Sequence, residues 1–92
     1  MKDSKIIVTI FGADKIGIVS AIAQVMERFE VNIEDISQTT MQDYFVMFMM
    51  CDIGKANAAF QDIKNAILEE AEKLKMEVWV QKKEIFDKMH SI

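Results

Sequence analysis

The sequence predicts an α+β sandwich in the order βαββαβ: a four-stranded antiparallel sheet with two helices on one face, followed by a short C-terminal helix. Three observations carry this expectation. Residues 5–11 and 44–51 are apolar on both alternating faces, the pattern of strands covered on both sides. Two longer stretches, beginning at Ile18 and Phe60, change to the helical period. The 92 residues are 51% hydrophobic and 28% charged, which suits one globular domain over 1–92 and not a disordered chain.

The elements follow in order. Residues 5–11 are dominated by β-branched side chains and make a central strand, which Gly12 to Gly17 interrupt. Ile18, Ile22, Val25 and Phe29 then recur at helical spacing, with Gln24, Glu27 and Arg28 turned outward, to an end near Glu30. Residues 31–40 return to strand character with a phase break. Val31 and Ile33 share one face and Ile36 the other, so a bulge near Glu34 and Asp35 is expected. Met41, Gln42 and Asp43 form a tight turn without glycine, which leaves the hairpin type open. Residues 44–51 are the second central strand, closed by Asp52, Ile53 and Gly54.

Phe60, Ile63, Ile67, Ala71 and Leu74 line one face of a helix that runs through Lys73, with Glu69, Glu70 and Glu72 on the wet side. Met76, Val78 and Val80 alternate with Glu77, Trp79 and Gln81, the pattern of a strand with one buried face. Ile85, Phe86 and Met89 share one side of a terminal helix over 83–90. Right-handed crossovers assemble these elements into the ferredoxin-like sandwich, with both long helices on one face. Residues 44–51 are apolar on the other face too, so a second cover is expected there, and a second copy of the chain would supply it.

Composition removes several functions. A formal net charge of −4 disfavours binding to a phosphate backbone. Phe11, Tyr44, Phe45 and Phe48 lie on the central strands, but those strands carry no arginine to accompany stacked bases. No apolar run reaches the roughly 20 residues that span a bilayer. The single cysteine, Cys51, has no partner for an internal disulfide and lies in an apolar run, so a buried thiol in a reducing cytoplasm is expected. The single histidine, His90, is two residues from the end, a poor place for a catalytic base. One cysteine and one distant histidine do not make a zinc shell. Neither an enzyme nor a resident cofactor or metal is expected.

The informative segment is Gly12 to Val19. Two glycines bracket the junction between a buried strand and a helix start, where unpaired N–H groups and the positive end of the helix dipole suit a ligand carboxylate. Such junctions also occur as plain structure. Asp14 has two uses there, capping the helix or meeting a ligand ammonium.

This segment resembles the strand-to-helix signature of ACT domains, small-molecule-binding regulatory modules. Asp14, Lys15, Gly17, Ile18 and Val19 match it, with Ile16 where proline is typical. Val31-Asn32-Ile33 is similar to the Asn-Ile at the head of the family's second strand. Ile36 to Thr39 and Tyr44 to Met47 are similar to small stand-alone ACT proteins related to the glycine-cleavage system repressor. The resemblance implies an amino-acid site at a homodimer interface, with Gly12, Asp14, Lys15, Gly17 and Ile18 of one subunit approaching Asn32 and Ile33 of its neighbour. Gly17 and Ile18 would offer backbone N–H groups to a carboxylate, Asp14 would meet the ammonium, and Asn32 would donate and accept. The alternative is an interaction subunit that uses the same fold to assemble with an enzyme or regulator and binds no metabolite.

Overall fold

The computed structural model describes residues 4–13 and 17–89. Its elements are β1 (Lys5–Gly12), α1 (Ile18–Arg28), β2 (Asn32–Met41), β3 (Tyr44–Asp52), α2 (Phe60–Lys73), β4 (Glu77–Lys82) and α3 (Lys83–Met89). The strands form one sheet in the order β2-β3-β1-β4, with every neighbouring pair antiparallel. The two runs that were apolar on both faces, β1 and β3, occupy its centre. The expected ferredoxin-like architecture is therefore the observed one.

Alternation along the central strands divides the side chains between two faces. Ile6, Val8 and Ile10 of β1 and Phe45, Met47, Met49 and Cys51 of β3 are buried under the helices. From α1, Ile18, Ile22, Val25 and Met26 meet them, and from α2, Ile63, Ala66, Ile67 and Ala71. Each large aliphatic side chain buried this way contributes about 1.5–3 kcal/mol relative to exposure. The described core holds no buried polar or charged residue.

Both long helices stop by the same device. Glu30 and Lys75 adopt left-handed φ of 58° and 59°. Beyond them the Val31 N–H donates to the Met26 carbonyl at 2.8 Å, and the Met76 N–H to the Ala71 carbonyl at 2.9 Å. These are the wide closing bonds of a Schellman-type end, made here without glycine. The bulge falls where the phase break placed it, between Ile33 and Asp35. The hairpin closes on the pair Met41 and Tyr44 with Gln42 at φ 57°, so a two-residue loop is made by a glutamine accepting a left-handed backbone.

The other face of the sheet is only partly covered. Ile7, Thr9 and Phe11 of β1 share it with Tyr44, Val46, Phe48 and Met50 of β3 and Trp79 of β4. α3 packs against β1 and β4 and screens the Ile7 end, leaving Ile7 7% exposed. At the other end Phe11 and Tyr44 stack with ring centroids 5.1 Å apart. Tyr44, Phe48 and Trp79 remain 48%, 43% and 53% exposed. The second cover that the sequence called for is thus supplied in part by the chain's own terminal helix.

Candidate functional site

The glycine junction lies where β1 ends above α1. Gly12 is buried, and a β-carbon there would fall on Met76 Sδ and within 2.7 Å of its Cε, so this glycine serves close packing. Gly17 precedes the first residue of α1 with φ 86° and ψ −20°, and among the described residues no side chain caps the helix at this position. The first turn contains no acidic residue to oppose the dipole. The Gly17 carbonyl accepts the Ala21 N–H at 2.9 Å, and the earlier N–H groups of the turn have no acceptor within the helix. Ile18 sends a fully buried side chain into the core, so only its backbone can serve a ligand. Asp14, Lys15, Ile16 and His90 lie outside the described residues.

Asn32 and Ile33 stand at the opposite end of the sheet. Gly12 pairs with Phe45 and Asn32 with Asp52, the two ends of β3 but for one residue, which puts the two points roughly 23 Å apart along the strand. Within one chain the sequence-predicted residues therefore form two half-sites. Asn32 is exposed, and its amide makes no hydrogen bond among the described residues; Ile33 is half-buried against the core.

Asn32 also borders a feature that sequence reasoning missed. A cavity of about 440 Å³ is lined by Ser4, Glu30, Asn32, Asp52, Gly54 and Lys55. Asp52 Oδ1 accepts from Ser4 Oγ at 2.7 Å and from the Gly54 N–H at 2.8 Å. These two hydrogen bonds hold its carboxyl below the usual carboxylate range. The signal was available as Asp52-x-Gly54, an aspartate bonding its own backbone two residues on.

Cys51 meets its expectation as a buried thiol. It is 0% exposed, and burial, with a smaller contribution from the Glu34 charge, pushes its pKa up to about 12. Labelling of the native protein with a thiol reagent is expected to be slow at neutral pH and to become fast only on unfolding. Rapid stoichiometric labelling with retained near-UV dichroism would contradict this burial. Among the described residues no group of three or more histidine, cysteine or acidic side chains could hold a metal ion, and no helix is long and apolar enough to cross a membrane.

Comparison with known proteins agrees with the fold. The family model for the ACT domain matches residues 4–81. A UPF0237 protein of Methanosarcina mazei is 44% identical over 95 aligned residues, covering 100% of both chains. Among solved structures, an ACT domain protein from Streptococcus pneumoniae superposes with a TM-score of 0.77 at 30% identity, over 90% of this chain and 93% of that one. A putative glycine cleavage system transcriptional repressor shares the fold with a TM-score of 0.74 at 12% identity, over 84% of this chain and 45% of its own.

Proposed function

The chain belongs to the ACT domain family, and on that premise we propose that it is a cytoplasmic, non-catalytic regulatory module that binds an amino acid or similar small molecule between the subunits of a homodimer. ACT domains are in general regulatory modules for small molecules of this class. The observation that carries the reading is the pair of half-sites: a helix start at Gly17 that no described side chain caps, and an Asn32 amide with no hydrogen bond among the described residues at the far end of the sheet. One chain does not close that gap. A two-fold axis does.

β2 is an edge strand of ten residues. A second copy pairing antiparallel along it sets Asn32 of each chain level with the Met41 end of the other, the end at which Gly12 and Gly17 lie. Ile36, 42% exposed near the midpoint of the strand, is covered in such a dimer. The N–H groups of Gly17 and Ile18 then meet the ligand carboxylate, and the family resemblance assigns the ligand ammonium to Asp14 and keeps Lys15 among the site residues. Asn32 and Ile33 of the partner complete the site. The apolar open face adds to the drive for self-association and favours a second reading, an interaction subunit that docks a regulated enzyme or regulator through Tyr44, Phe48 and Trp79 and binds no metabolite.

A thermal-shift screen against the standard amino acids separates the two. A ligand at a hundred times its dissociation constant adds about 2.7 kcal/mol, a visible upward shift of the midpoint. No shift with any amino acid favours the interaction subunit. Light scattering at micromolar concentration is expected to give a dimer, and a strict monomer removes the shared site altogether.

A further inference from the structure

A second cavity lies on the other side of the sheet, between the strands and α3. It measures about 210 Å³ and is lined by Ile7, Phe48, Met49, Met50 and Phe86 together with Asp35 and Ser37. The match to the ACT family model ends at residue 81, and α3, which supplies Phe86, follows it. We propose that this cavity is a binding site for a small organic amine bearing a compact apolar group, distinct from the amino-acid site between subunits.

The register builds it. Asp35, Met50 and Ile7 lie in one cross-strand row of the open face, and Ser37, Phe48 and Thr9 in the next. Met50, Phe48 and Ile7 make an apolar floor, Phe86 of α3 makes one wall, and Asp35 and Ser37 of β2 stand at the opposite side. Asp35 is on this face only because of the bulge. Regular alternation from Ile33, which pairs with Cys51 on the helix side, would have turned Asp35 to the helix side as well. The extra residue at Glu34 re-aims it, the use to which bulges are put beside binding sites.

The chemistry of the lining selects the ligand. Neither the Asp35 carboxylate nor the Ser37 hydroxyl has a hydrogen-bond or ion-pair partner among the described residues. Both accept from an ammonium, and the carboxylate supplies its charge. Among the described residues that line the cavity none is a cation, and the Lys5 ammonium, at the start of β1, is held at 2.7 Å by Glu34. A ligand carboxylate would therefore meet no positive partner here, which separates amines from amino acids. Dry apolar cavities of about 150 Å³ accept a benzene ring, so this space admits a phenyl or branched aliphatic group.

The test is calorimetry and side-chain NMR on the intact protein with phenethylamine as probe, beside phenylalanine and 2-phenylethanol. Phenethylamine is expected to bind at least about tenfold more tightly than either, shifting the Met50 methyl and Phe86 ring resonances. Asp35→Asn is expected to weaken it about tenfold or more while leaving the folded spectrum unchanged, since this side chain is exposed. Phe86→Ala is expected to weaken all three probes together. Absence of binding at millimolar phenethylamine overturns the proposal, as does binding that Asp35→Asn leaves unaltered. Phe86 lines neither the cavity beside Asn32 nor the junction at Gly17, so amino-acid binding to Phe86→Ala reports on the inter-subunit site independently.

Discussion

Ile10→Ala is expected to lower the thermal midpoint by roughly 15–25 °C, because its destabilisation of about 3–4 kcal/mol shifts a domain of this size by about 4–8 °C per kcal/mol. Ile10 is 0% exposed on the central strand β1, and its cross-strand neighbours are Met47 and Val78. Removing its outer atoms leaves a void that strands paired on both sides cannot close. The loss is a large share of the 5–15 kcal/mol that holds a typical domain together. Urea unfolding at one fixed protein concentration should show a lower midpoint with an unchanged slope. Thr9→Ala, one residue away on the opposite face, is the control and should stay within about 0.5 kcal/mol of the parent. If Ile10→Ala costs less than about 1 kcal/mol, the helices do not cover the face to which alternation assigns them.

That contrast between neighbours shows why the fold was legible. Burial on both faces writes a continuous apolar run, and only β1 and β3 carry one, so the two central strands could be placed before any coordinates were known. The bulge was legible for a related reason: Ile33 and Ile36 cannot both reach the helix side without one extra residue between them. Met26 was harder to see, since it is buried beside Val25 and a strict periodic template counts only one of them. The position of α3 was not legible at all. Ile85, Phe86 and Met89 mark an apolar side, yet seven residues of amphipathic pattern do not say which surface they will meet.

The site divided along the same line. Local backbone demands are written in residue type, so Gly17 could be found, and its φ of 86° is the reason a glycine stands there. What would bring Gly17 to Asn32 in the proposed dimer is not local. Their separation within one chain follows from parallel placement of β1 and β2 on either side of β3, and no sequence motif records a partner subunit. The Ser4 and Asp52 corner was missed because its hydrogen bond joins residues 48 positions apart.

The strongest expected effect on ligand binding belongs to Gly17→Val. A β-branched residue at φ 86° is a genuine backbone outlier, costing about 1–3 kcal/mol of strain, and its methyl groups would stand over the N–H groups of the first turn. Gly17→Asn is the control for strain, since asparagine tolerates the left-handed region. Asp14→Ala should weaken an amino-acid ligand by about 1.5–3 kcal/mol, the range of a hydrogen bond to a charged group, and Asn32→Ala should weaken it less. Gly17→Val should exceed both in isothermal calorimetry, while Gly17→Asn keeps a folded dimer. Mixing Asp14→Ala with Asn32→Ala supplies the stricter test. In a heterodimer of the two, one site inherits both defects and the other takes an intact loop from one chain and an intact asparagine from its partner. Each heterodimer therefore regains one working site of its two, at the parental affinity. Mixtures that exchange subunits yet recover no binding, with both variants still folded and dimeric, exclude a site shared across the two-fold.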